Sequence, residues 1–169
     1  MTDKIKYCWD TSVFVGWLKR EETAPLADID AILGDIHANK AVLIVSVVTY
    51  TEILRVKHTP KQLRTFDDFL KRSNVLRADN TFPIAQKAEQ IRSRAMEGPK
   101  SQQRVIKTVD ATILATGIIH QADVLHSLEP KHHNLSRSKI VDGLLITAPQ
   151  ELSGQRALGF DLNVAPEKE

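Results

Sequence analysis

The sequence has one cysteine, Cys8, in 169 residues. A lone cysteine excludes an internal disulfide and any zinc site built on several thiolates. Aromatic residues make up only 5%, which speaks against recognition of nucleic acid through stacked bases. No apolar run approaches the roughly 20 residues needed to span a bilayer. The longest, Ala41 to Val48, suits a buried strand. Met1 to Lys6 is polar and unlike a signal peptide, so a cytoplasmic protein is expected. Charge of one sign is lacking too: 23 Lys and Arg against 21 Asp and Glu leave a net +2. That balance does not announce a nucleic-acid binder, although it permits a local basic groove. What is present is ordinary globular usage, 42% hydrophobic and 26% charged. One soluble domain with a real core is expected.

The order of residues says more. Ile5 to Trp9 and Ala41 to Val45 read as strands, the second buried on both faces. Helical spacing of apolar residues marks Thr11 to Leu18, Leu26 to His37, a helix opened by Thr59-Pro60 and Thr81 to Met96; Thr49 to Val56 also reads as helix, and Thr108 to Ile119 as an apolar helix with the small residues Ala111, Ala115 and Gly117. Asn74 to Arg77, Val124-Leu125 and Leu144 to Ile146 are the remaining strand candidates. Strands alternating with helices predict an α/β sandwich of three layers, its central sheet mostly parallel. Residues 1–147 are expected to form the domain and residues 148–169 a tail without periodicity.

In open parallel sheets, ligands bind beyond the carboxyl ends of the strands. Asp10 follows the first predicted strand, and Glu52 lies in the first turn of the helix after the second. Asp110 opens the helix rich in small residues, and Glu129 follows Ser127 after the Val124-Leu125 strand. Each has an ordinary explanation. Asp10 can cap a helix, Thr49 to Glu52 matches a capping box, Asp110 suits a helix start, and Glu129 suits a solvated loop. Together they form a cluster of like charges, and such a cluster calls for a cation. Carboxylate ligands suit Mg²⁺ or Mn²⁺. Asp123, just before its strand, falls at the opposite end and is expected to be structural.

These residues carry a resemblance. Cys8-Trp-Asp10-Thr-Ser12, Thr49-Tyr-Thr-Glu52-Ile, Val109-Asp110-Ala-Thr-Ile-Leu-Ala115 and Ala122-Asp123-Val-Leu-His-Ser127-Leu-Glu129 stand in order along the chain. The set is similar to the motifs of PIN-domain ribonucleases, the VapC-like toxins among them. The resemblance runs from about Lys6 to Ile146. One departure stands out: the fourth acid is Glu129 where the family usually has Asp.

The resemblance implies metal-dependent cleavage of RNA phosphodiesters by the toxin of a toxin–antitoxin pair. It implies Mg²⁺ or Mn²⁺ on Asp10 and Asp110, with Glu52 and Glu129 binding through water or placing a second ion. Ser12 would hold the attacking water or bind phosphate, with Ser127 a weaker candidate for that work. Arg92, Arg94, Lys100, Arg104 and Lys107 flank the third motif and would contact RNA phosphates. His132 and His133 read as surface residues of a loop, with a metal ligand or phosphate contact as the other reading. A homodimer and an antitoxin segment filling the acidic groove, with an Arg among the carboxylates, would be its protein partners. Two other readings stay open: a non-catalytic RNA-binding or scaffold protein, and a phosphoacceptor built on Asp10, which lacks the second Asp of an Asp-x-Asp motif.

Overall fold

In the computed structural model, residues 4–150 and 152 are described. Five strands form one sheet: β1 (Ile5–Trp9), β2 (Ala41–Ser46), β3 (Val75–Ala78), β4 (Val124–His126) and β5 (Ile146–Thr147). Their order is β3-β2-β1-β4-β5, and every adjacent pair is parallel. The expected α/β sandwich with a parallel sheet is therefore what the chain forms. The central strands are rich in β-branched and aromatic residues and are buried on both faces. Two edges shift from expectation. β3 begins one residue later, because Asn74 uses its side-chain amide to donate to the carbonyls of Ile36 and Ala41. β5 is only Ile146–Thr147, because Leu144 closes the preceding turn through its N–H to Val141 O.

Seven α-helices and a short 3-10 helix (Lys139–Val141) complete the domain among the described residues: α1 (Thr11–Lys19), α2 (Leu26–His37), α3 (Val47–Arg55), α4 (Pro60–Leu70), α5 (Phe82–Ala95), α6 (Thr108–Ile119) and α7 (Pro130–His133). Side-chain alternation along the strands splits the core in two. Tyr7, Trp9, Leu43 and Val124 face α1, α2 and α4. Cys8, Ile44, Leu125 and Ile146 face α5 and α6. Seven consecutive residues of α6, Ala111 to Gly117, are buried, so this helix shows no amphipathic stripe. Gly117 lets α6 lie on the sheet, where a Cβ would meet Leu125 Cδ1 at 3.4 Å and Cys8 Cβ at 3.5 Å.

α3 corrects one expectation. It starts at Val47, directly after β2, with Ser46 at its N-cap. Thr49 is therefore inside the helix and makes no capping box. Glu52 falls in the second turn, not the first. The capping box of this fold is at α4, where Thr59 and Gln62 exchange side-chain to backbone hydrogen bonds. Asp123 behaves as expected, since its Oδ2 accepts from Lys6 N–H at 2.8 Å beside the start of β1. Most of the expected tail, 148–169, lies outside the described residues. Leu152 is described: it is buried, and its N–H donates to Tyr7 Oη at 2.9 Å. Among the described residues no helix is long and apolar enough to cross a membrane.

The chain leaves β1 toward β2 on one side and reaches β4 on the other. The sheet order reverses between β1 and β4, and a crevice opens outside their carboxyl ends. Asp10 follows β1 and Ser127 follows β4, so the topology puts both residues at that crevice.

Candidate active site

Asp10 occupies the N-cap position of α1, yet its side chain makes no capping bond. Its Oδ2 instead accepts from Ser12 Oγ at 2.9 Å and from Ser127 Oγ at 2.9 Å. The residue is 4% exposed. Burial pushes its carboxyl up, but His132, Ser127 and Ser12 outweigh burial and hold it below the usual range. Asp110, in the first turn of α6, is half-buried. Burial raises it as well, and His132 and Lys131 more than offset that rise. Lys131 Nζ donates to Asp110 Oδ2 at 3.0 Å, and the bond raises the lysine in turn.

Glu52 Oε2 accepts from Thr11 Oγ1 at 2.5 Å, tying α3 to the start of α1. Glu129 is exposed at the N-cap of α7, and its N–H donates to Ser127 Oγ at 3.1 Å. Asp10, Ser12, Glu52, Asp110, Glu129 and Lys131 line one open cleft of about 1050 Å³. The structure thus brings all four predicted acids and Ser12 to one place. The Ser12 proton is committed to Asp10, and its oxygen accepts from Leu128 N–H at 2.9 Å, so its hydroxyl orients Asp10 and the β4 loop.

The basic residues divide. Lys107 lines the cleft, and so does Arg55, which the sequence did not single out. Arg104 lines a smaller cleft of about 310 Å³, bordered also by Asp110, Lys131 and His132. Arg92 is held by Glu89 and the Ile106 carbonyl, and Arg94 by Asp142 and the Lys139 carbonyl. Neither of them, nor the exposed Lys100, lines either cleft.

His132 overturns the expectation of a surface residue, for it is only 4% exposed. Pro130 starts a helical turn rather than a loop, and the turn rotates His132 inward. Nδ1 lies 3.5 Å from Asp10 Oδ2 and Nε2 lies 3.5 Å from Asp110 Oδ2. Burial pushes the imidazole down, but the two acids lift it to about 9. His133 Nε2 bonds the Ser127 carbonyl at 2.7 Å and stays at the cleft wall. The cue for His132 was available: proline after Glu129 marks a helix start.

A PIN-domain family model matches residues 7–137, well over half of the sequence. The chain is a PIN-domain protein. Solved structures with the same fold include VapBC2 from Rickettsia felis, bound to a DNA fragment from their promoter. It is 14% identical, covering 84% of this chain and 97% of that one, with a TM-score of 0.60. FitAcB from Neisseria gonorrhoeae is 18% identical, covering 85% and 97%, with a TM-score of 0.55. DNA-bound VapBC from Salmonella typhimurium is 17% identical, covering 84% and 96%, with a TM-score of 0.56. No curated protein sequence matches the chain. At these identities the likeness of this PIN domain to the three is one of fold.

The donors of this PIN domain suit a divalent cation in kind, since carboxylates from four places in the chain face one cleft. They are not gathered for it as they stand. Among the described residues no three His, Cys, Asp or Glu side chains form a metal-binding group. His132 and Lys131 lie against the two inner acids instead.

Proposed function

We propose that this PIN domain is a metal-dependent endoribonuclease that hydrolyses RNA phosphodiester bonds, acting as the toxin of a toxin–antitoxin pair in the cytoplasm. One observation carries it: Asp10, Glu52, Asp110 and Glu129, distant in sequence, face a single cleft at the point where the strand order reverses. Asp110 and Asp10, with Glu52 and Glu129 around them, are the groups that would hold Mg²⁺ or Mn²⁺. A bound divalent cation supplies a Lewis acid for the phosphoryl oxygen and an activated water for in-line displacement. Ser12 and Ser127 keep Asp10 ionised and aimed. Thr11 Oγ1 donates to Glu52 Oε2 and fixes the position of that side chain. Arg55, Lys107 and Lys131 on the cleft wall, with Arg104 nearby, would contact phosphates and offset the repulsion between the acids and RNA. Complexes named VapBC and FitAcB among the structures of like fold support a protein partner, which we take to be an antitoxin, and a homodimer accords with the family.

Purified protein incubated with RNA tests the proposal. Cleavage should require Mg²⁺ or Mn²⁺, stop on chelation, and fall by at least about a hundredfold in Asp10→Asn, in line with a loss of about 2.7 kcal/mol or more in transition-state stabilisation. Undiminished cleavage by that variant would overturn the assignment.

A second reading has an observation of its own. Lys131 and His132 already occupy the inner acids, as suits a non-catalytic RNA-binding or scaffold protein. Calorimetry separates the two. Mn²⁺ binding supports the nuclease, while RNA affinity without any metal binding supports the scaffold.

A further inference from the structure

The smaller pocket, of about 310 Å³, adjoins the acidic cleft. Asp110 and Lys131 line both, so their 3.0 Å ion pair is the wall between the two. Beyond that wall the lining changes character. Val105, Ile106 and Leu135 supply aliphatic surface, and Arg104 and Asn134 stand exposed beside them. Ligand sites are commonly of this kind, mostly apolar with a few polar groups that fix orientation.

Val105 is 87% exposed, more than any other large hydrophobic among the described residues. The backbone around it is pinned. Arg104 N–H donates to the Ala95 carbonyl at 2.7 Å, and Arg92 Nε donates to the Ile106 carbonyl at 3.2 Å. Ile106 and Leu135 are buried in the core that α5 and α6 share. A fixed segment therefore holds a branched apolar side chain in water beside an apolar floor. Single exposed apolar residues are ordinary on a surface. One that stands at the mouth of a formed pocket has a use there.

Charge chooses the occupant. Arg92 and Arg94 are tied up in ion pairs, whereas Arg104 has none among the described residues. Lys131 reaches the same pocket from the wall. Cations beside an apolar slot suit a base carried between two phosphates. An aliphatic side chain from a protein partner would need no cations. Bases of single-stranded RNA can be splayed out, laid against side chains and read along their edges. The Asn134 amide both donates and accepts, as edge reading requires.

We propose that this pocket takes one unstacked base of a single-stranded RNA whose backbone runs through the acidic cleft. The inference rests on the nuclease reading and names the form of its RNA. The base lies against Val105 and Leu135, and Arg104 holds an adjoining phosphate. No Phe, Tyr or Trp lines the pocket, so its grip on the base is aliphatic.

A short single-stranded RNA tests the proposal, alongside copies with one abasic site stepped along the chain. Binding is read by fluorescence anisotropy with Mn²⁺ present, in Asp10→Asn protein so that the RNA stays whole. At one position, loss of the base should weaken binding about fivefold or more, the low end of what a stacked base is worth. Adding Val105→Ser should weaken the intact RNA by a similar factor and make that abasic site silent. Val105 is exposed, so this change does not threaten folding. Arg104→Ala should instead weaken every RNA of the series alike. An abasic penalty of the same size with and without Val105→Ser, or no penalty at any position, overturns this inference and leaves the nuclease reading standing. A Val105-dependent penalty in a protein whose unaltered form cuts no RNA overturns the nuclease reading alone. No RNA binding overturns both.

Discussion

Ser127 holds more of the site together than its size implies. Its hydroxyl donates to Asp10, and its oxygen accepts from Glu129 N–H and from His132 Nδ1, with the residue fully buried. Ser127→Ala leaves those partners without it in a place water does not reach freely. It should cost about 1–3 kcal/mol in urea unfolding. His132 carries a pH consequence in the metal-free protein. Its folded value of about 9 is above the roughly 6.5 of an unfolded histidine. A group raised on folding stabilises fully below its unfolded value, and loses that contribution as pH rises through its folded value. The melting temperature of the metal-free chain should therefore fall between about pH 6.5 and pH 9.5. In His132→Gln this alkaline limb should flatten. Asp10 and Asp110 act at the other end: both are held low, so their stabilisation is present above the ordinary carboxylate range and is lost toward acid.

Among the elements, α1 is the one whose packing reaches the site most directly. Gly16 faces Ala24 Cβ and Leu128 Cδ1, each 3.0 Å from where a Cβ would stand. Leu128 is also the residue whose N–H bonds Ser12. Gly16→Val would drive a branched side chain into that contact. The expected cost is about 1–3 kcal/mol in denaturant unfolding, and under the proposed nuclease function RNA cleavage should weaken as the β4 loop shifts. α6 and α7 show two limits of periodicity. α6 is legible through its length, since a twelve-residue apolar stretch with small residues Ala111, Ala115 and Gly117 is longer than the usual strand, yet its buried circumference hides which side carries Asp110. α7 has only four residues, too few for any period to emerge. Its one cue was Pro130, and the histidine pair looked like filler because nothing local shows that β4 ends beneath it.

The whole molecule combines an acidic centre with cations on its rim, so the mild net charge of +2 is a sum of opposites. Lys107 is on that rim, whereas Arg94 is tied to Asp142 on a different face. If Lys107 contacts one phosphate, Lys107→Ala should reduce the slope of log affinity for single-stranded RNA against log salt by about 0.7. Arg94→Ala should leave the slope unchanged. Fluorescence anisotropy across a salt series measures both, and equal slopes for the two variants would count against the rim as the phosphate path.

The amino-acid order by itself determined the alternation of strands and helices, and with it a parallel sheet, because hydrophobic period and β-branched runs are local properties. It also determined which acids follow which strands: Asp10, Glu52, Asp110 and Glu129 were visible as positions. Only the tertiary structure decided what surrounds them. Arg92 and Arg94 read as part of a basic stretch, and folding turned them to Glu89 and Asp142. His132 read as surface, and folding placed it between Asp10 and Asp110. Apart from Arg92 and Glu89, which are three residues apart on α5, these partnerships join residues roughly 20 to 120 apart in sequence, and no local pattern encodes them.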